Sequence, residues 1–191
     1  MVTQKITMKI VVAVSGVPGT GKSVVSKIVA RKMNANLIEI KKLVGKEIKY
    51  KFDKKRRTKV VDMDSVHKAV SRRLKNGLNI IEGHYSHLLK SDKIIILRTS
   101  PAVLFKRLRL RHWNSKKIHE NIECELLDEI TQEALSMHDS KKIFEIDTTK
   151  KSPHVIAVKV MDIIENKRVT QTRIDWTVNY EYIFKNLHRY R

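Results

Sequence analysis

The sequence predicts a three-layer α/β domain built on a mainly parallel five-stranded sheet, and three observations carry that prediction. Short apolar, β-branched runs alternate with segments of helical period along most of the chain. The first such run, Lys9 to Ser15, leads into Gly16-Val17-Pro18-Gly19-Thr20-Gly21-Lys22-Ser23, which fits the pattern G-x-x-x-x-G-K-[ST] at every fixed position. At 191 residues and 41% hydrophobic, the chain suits one well-buried domain and is too short for two of ordinary size.

The glycine-rich stretch is a phosphate loop. Its glycines let backbone N–H groups turn inward around an anion, and the helix that starts near Ser23 adds the positive end of its dipole. Lys22 is expected to bridge the β- and γ-phosphates of a nucleoside triphosphate, and the Ser23 hydroxyl to sit on Mg²⁺. Val24, Val25, Ile28 and Val29 follow at helical spacing, so strand, loop and helix come in the required order.

The remaining elements follow in sequence. Residues 1–8 form a short polar lead. After the first helix, which ends near Lys32, Asn34-Ala35-Asn36 is a turn and Leu37 to Ile40 a second strand. Lys41 to Lys59 holds ten Lys and Arg against Glu47 and Asp53, either as a solvated insertion or as a flap that binds a second phosphate-bearing molecule. Val60-Val61-Asp62 reads as a third strand, Asp64 or Ser65 as the cap of a helix bearing Val66, Ala69, Val70 and Leu74, and Gly77 as its end. Asn79 to Glu82 is a further strand that delivers Glu82 and then His84 at its C-terminal end, where ligands sit in open α/β sheets.

Lys93 to Leu97 is a buried strand, and Ser100-Pro101 opens a helix running to about Arg111. Lys106, Arg107, Arg109 and Arg111 make its end basic, and the next loop continues that charge to Lys117. One long amphipathic helix then places Ile118, Ile122, Leu126, Ile130, Ala134 and Met137 on a stripe. Ile143 to Ile146 is the last strand, and Ser152-Pro153 begins the final helix. The domain closes at about Lys167, leaving residues 168–191 as a basic extension carrying Trp176, Tyr180, Tyr182, Phe184 and Tyr190.

Charge bounds the partners. Forty Lys and Arg against 20 Asp and Glu give +20 at pH 7, which favours polyanions such as RNA or DNA. No apolar run approaches the roughly 20 residues that span a bilayer, so a cytoplasmic protein without a membrane partner is expected. Cys124 is the single cysteine and is assigned to helix packing. His84 and His87 lie three apart, but no third ligand accompanies them, so a zinc site is not expected.

Together, GVPGTGKS, VVDMDSV, NIIEGHYSHLL, ILRTSPAVLFKRLRLRHWNSKKI and NIECELLDEITQEA resemble the adenylate-kinase-like ribosome-assembly ATPases, the adenylate kinase isoenzyme six type, over about residues 9–166. That resemblance implies a P-loop nucleoside monophosphate kinase fold with a domain at 9–167, a monophosphate-binding region at 39–59 and a short lid at 110–120. It assigns Gly16, Gly19, Gly21, Lys22, Ser23 and Val24 to the triphosphate, Arg111 to the lid contact with it, and Lys150 to the loop beside the base. The family's second acidic motif is Asp-x-His, supporting Mg²⁺ and placing a water; here it is Glu82-Gly83-His84, the form associated with archaeal-type members. The implied activity is Mg²⁺-dependent transfer of the ATP γ-phosphate to AMP, with ATP hydrolysis. The implied partners are a small-subunit platform ribosomal protein of the S-eleven family and pre-ribosomal RNA. A small-metabolite P-loop kinase and a nucleotide-gated assembly factor with little kinase activity are the alternatives.

Overall fold

The computed structural model describes residues 8–54, 58–167 and 172–179. Lys9–Ser15 forms β1, Asn36–Glu39 β2, Tyr50–Asp53 β3, Thr58–Val61 β4, Gly77–Glu82 β5, Lys93–Arg98 β6 and Ile143–Asp147 β7. The helices are α1 (Lys22–Lys32), α2 (Ile40–Leu43), α3 (Met63–Ser71), α4 (Pro101–Arg109), α5 (Ser115–Leu126), α6 (Glu129–Met137) and α7 (Pro153–Ile164). Five strands make the predicted parallel sheet in the order β2-β5-β1-β6-β7.

Period-two alternation along the central strands explains the three layers. Val12, Val14, Ile95 and Leu97 point to one face, where α1 and α7 cover them with Val25, Val29, Ile156 and Val160. Val11, Ala13, Ile94 and Ile96 point to the other, under α3 on one side and α4, α5 and α6 on the other. Both faces being covered, these strands read as continuous Val/Ile runs rather than alternating ones. Each fully buried Ile or Leu contributes roughly 1.5–3 kcal/mol of transfer free energy.

Four sequence expectations are corrected. Val60 and Val61 are outside the main sheet: β4 pairs antiparallel with β3 as a separate hairpin, because a four-residue strand that contains Lys59 and exposed Val60 has no apolar pair of faces to bury. The cap of α3 is Asp62, whose carboxylate accepts from Ser65 N at 3.2 Å, rather than Asp64 or Ser65. Gly77 does not end α3, which stops at Ser71; at φ 88° it opens β5, and the Asn79 side chain ties up the N–H and C=O of Lys75 in the intervening turn. The long helix is two helices. Asp128 breaks it in the left-handed region (φ 60°), with its carboxylate on the guanidinium of buried Arg98, and Met137 at the far end of the stripe is 57% exposed.

Lys55, Arg56 and Arg57 of the basic stretch, residues 1–7 of the lead, and Tyr180, Tyr182, Phe184 and Tyr190 of the extension lie outside the described residues. No helix among the described residues is long and apolar enough to cross a membrane.

Candidate functional site

Sheet order brings the two predicted motifs together. β1 and β5 are neighbours in parallel register, Val14 opposite Glu82, so both C-terminal ends open at one edge: β1 into the phosphate loop, β5 into Gly83 and His84. Close packing demands glycine at two of these turns. At Gly16 (φ 135°) a Cβ would lie 2.4 Å from the Leu97 carbonyl oxygen of β6, and at Gly83 it would lie 2.9 Å from Ile40 Cβ.

Gly21 is the left-handed N-cap of α1, so the loop ends at a helix N-terminus with free N–H groups. Inside the loop the Lys22 ammonium donates to Gly16 O at 2.7 Å and Val17 O at 3.0 Å. Burial lowers its pKa to about 8; the Glu82 carboxylate opposes that shift and the Arg111 guanidinium adds to it. Ser23 Oγ donates to Glu82 Oε1 at 3.0 Å, and Glu82 is 5% exposed. A hydroxyl and a carboxylate oxygen so placed fit Mg²⁺, which takes one or two protein oxygens and completes its octahedron with phosphate and water. Among the described residues no cluster of three or more His, Cys, Asp or Glu side chains could hold a metal by protein ligands alone.

The His84 ring lies beside the loop, with Nδ1 3.5 Å from Gly16 O. Burial first, then the Lys22 charge, pushes its pKa down to about 4, so the ring is neutral at pH 7. His87 points elsewhere, between Ser15 Oγ at 2.9 Å and Glu133 Oε2 at 2.8 Å, so the two histidines do not share a ligand position.

A family model described as an AAA domain matches residues 12–128, more than half of the chain. A protein of Methanococcus maripaludis named "Putative adenylate kinase" is 34% identical over 181 residues, covering 92% of this chain and 99% of that protein. One of the same name from Archaeoglobus fulgidus is 36% identical over 177 residues, covering 89% and 93%. The chain belongs to this adenylate-kinase-like P-loop family. Solved structures show the same fold at lower identity. Shikimate kinase from Acinetobacter baumannii superposes with TM-score 0.57 at 14% identity, covering 86% of this chain and 97% of that one. Thymidylate kinase from Candida albicans gives 0.51 at 15%, covering 83% and 92%.

In this family member the segment 110–120 comprises the turn after α4 and the start of α5. Trp113 packs against the core beneath it while Lys117 Nζ lies 4.3 Å and the Arg111 guanidinium 5.9 Å from its ring, so the indole joins the turn after α4 to the start of α5. Lys150 stands in the left-handed region (φ 53°) after β7, two strands from β1. Its loop is held by Ser100 N donating to Thr149 Oγ1 at 2.8 Å and by Thr148 Oγ1 donating to Arg98 O at 2.9 Å. Val24 is 52% exposed on the first turn of α1. In the 39–59 region, Glu39 pairs with Lys42 and lies 3.7 Å from Lys27.

Two features escaped the sequence reading. Arg107 donates to Gly19 O at 3.0 Å, tying α4 to the phosphate loop, yet in sequence it was one cation in a run of several. Arg98, 2% exposed, donates to Glu125 Oε1 at 2.8 Å and also meets Asp128 and Glu145. Residues 172–179 close over it: Ile174 N donates to Glu145 Oε2 and Trp176 Nε1 to Glu125 Oε1, both at 3.0 Å. An arginine ending an apolar strand was the one available signal, since burial demands carboxylate partners for it.

Proposed function

We propose that the protein transfers the γ-phosphate of ATP to a nucleoside monophosphate, AMP, and hydrolyses ATP more slowly. The observation that carries this reading is the convergence of Lys22, Ser23 and Glu82 at the joined ends of β1 and β5, in a chain whose relatives bear the name "Putative adenylate kinase". Ser23 and Glu82 would hold Mg²⁺ on the triphosphate, and the ion would supply charge neutralisation when bound.

The chain's own groups then divide the work. Lys22 exchanges its two backbone carbonyls for the β- and γ-oxygens, a better match because phosphate compensates the ammonium that burial penalises. Arg111, exposed in the lid and already sensed electrostatically by Lys22, adds a second positive charge. Neutral His84 accepts a hydrogen bond from a water O–H on its unprotonated ring nitrogen and orients that water for the hydrolytic side reaction. The 39–59 region, beside the end of β2, receives the monophosphate. Lys150 lies beside the base. Gly16, Gly19, Gly21 and Val24 line the phosphates with backbone.

Coupled assays of ADP formation from ATP and AMP, with Mg²⁺, test this. Lys22→Ala should cost about 10²–10³-fold in kcat, the usual loss for one preorganised charge donor. Unchanged transfer in that variant, or no transfer to any monophosphate by the parent protein, would refute the site or the reaction respectively.

The +20 charge supports a second role, in small-subunit maturation with an S-eleven-family ribosomal protein and pre-ribosomal RNA. Two nucleotides need only a few cations, and the β3–β4 hairpin presents exposed Lys51 and Lys59 with exposed Tyr50 and Phe52.

A further inference from the structure

His87 belongs to neither motif, yet it is among the most enclosed polar side chains, 1% exposed. Its Nδ1 lies 2.9 Å from Ser15 Oγ and its Nε2 2.8 Å from Glu133 Oε2 of α6, and its carbonyl accepts from His138 Nε2 at 2.9 Å. Ser15 is the last residue of β1, directly before Gly16, and its hydroxyl also lies 3.1 Å from the carbonyl oxygen of His84. A hydroxyl has one proton, so these two contacts compete for it.

The state of His87 decides the competition. When the ring is neutral with Nε2–H donating to Glu133, Nδ1 is an acceptor and takes the Ser15 proton; the His84 carbonyl loses that donor. When the ring is protonated, both nitrogens donate: Nε2–H to Glu133 and Nδ1–H to Ser15 Oγ. The Ser15 proton then goes to His84 O, and donors run outward from the imidazolium, one way to Glu133 and the other through Ser15 to the turn that carries His84. We propose that His87 is a positioning residue for His84: by directing the single Ser15 proton it sets whether the His84 turn is tied to the end of β1 beside the phosphate loop.

The groups facing this histidine are Glu133 from α6, His138 from the segment after α6 and, on its own turn, the His84 ring and the His84 carbonyl, the last of which also favours the charged ring. Burial lowers its pKa and Glu133 opposes that effect, so the charged state gains population as pH falls. The functional consequence rests on the reading that His84 orients water, whereas the hydrogen-bond switch does not.

The test is therefore spectroscopic first. In the ligand-free full chain, labelled with ¹³C and ¹⁵N, the His84 carbonyl shift should follow pH with the midpoint of the His87 ring. Ser15→Ala should abolish that dependence while His87 still titrates. Glu133 is 58% exposed at its side chain, so Glu133→Gln preserves packing; it should lower both midpoints by the same amount. The acid limb of ATP hydrolysis should move equally, with KM for ATP unchanged. A His84 carbonyl indifferent to His87, one that still follows it in Ser15→Ala, or a His87 ring fixed in one state between about pH 4.5 and 8.5 would each overturn the proposal. A parent protein without phosphoryl turnover would refute the function proposed above and leave the spectroscopic outcome to decide this one.

Discussion

At Lys22 burial and charge oppose each other: the residue is 8% exposed, and its ammonium donates to two loop carbonyls and has its pKa lowered to about 8. Triphosphate oxygens would favour the charged form and raise that pKa toward the ordinary lysine value. Binding near pH 8.5, where the free site is partly deprotonated, should therefore take up protons. Well below pH 8 the lysine is already charged and the uptake should vanish. Calorimetry in buffers of different ionisation enthalpy measures this directly. Lys22→Met should remove the buffer dependence, and equal heats across buffers with the parent protein at pH 8.5 would contradict the assignment.

Among elements, the segment 172–176 makes a testable contribution through two donors to buried carboxylates. Trp176 Nε1 reaches Glu125 Oε1, which also accepts from Arg98 Nε at 2.8 Å and Thr99 N at 3.0 Å. Replacing Trp176 by Phe keeps most of the apolar area and leaves Glu125 with two donors, so no orphaned carboxylate is created. Loss of one hydrogen bond to a charged group should cost about 1.5–3 kcal/mol in urea denaturation, without a change in slope. Glu125→Gln should cost more, because Arg98 is then left with less compensation in a site 2% exposed. If Trp176→Phe leaves the midpoint unmoved, the extension merely lies against the domain.

Over the whole molecule the surplus of positive charge is the property to test. Replacing Lys54, Lys55, Arg56 and Arg57 together with Ser removes four charges from the stretch that joins β3 to β4. If this stretch meets nucleic-acid phosphates, the plot of log affinity for small-subunit RNA against log salt should lose up to about 3 of its slope, near 0.7–0.9 per phosphate neutralised. Sedimentation with small-subunit particles should weaken in parallel. Unchanged slope and sedimentation would mean that the charge solvates this face without engaging RNA there.

The sequence by itself determined the sheet, the loop and the acid, Glu82, at its edge. Those features rest on local patterns: β-branched runs long enough to bury on both sides, a glycine spacing that only an anion-cradling turn requires, and residues at strand ends whose position follows once the sheet is parallel. What it could not determine is which side chains meet across elements. The segment Glu125-Leu126-Leu127-Asp128-Glu129 contains no Gly or Pro, so its apolar stripe read as one helix. The break at Asp128 is imposed by Arg98, thirty residues earlier, whose buried charge draws the carboxylate out of helical geometry. Likewise Ser15, His87 and Glu133 are separated by 72 and 46 residues, and their hydrogen bonds exist because β1, the turn after β5 and α6 pack together. Periodicity encodes which face an element buries, whereas partners are chosen by three-dimensional proximity and by the need to satisfy each buried polar group.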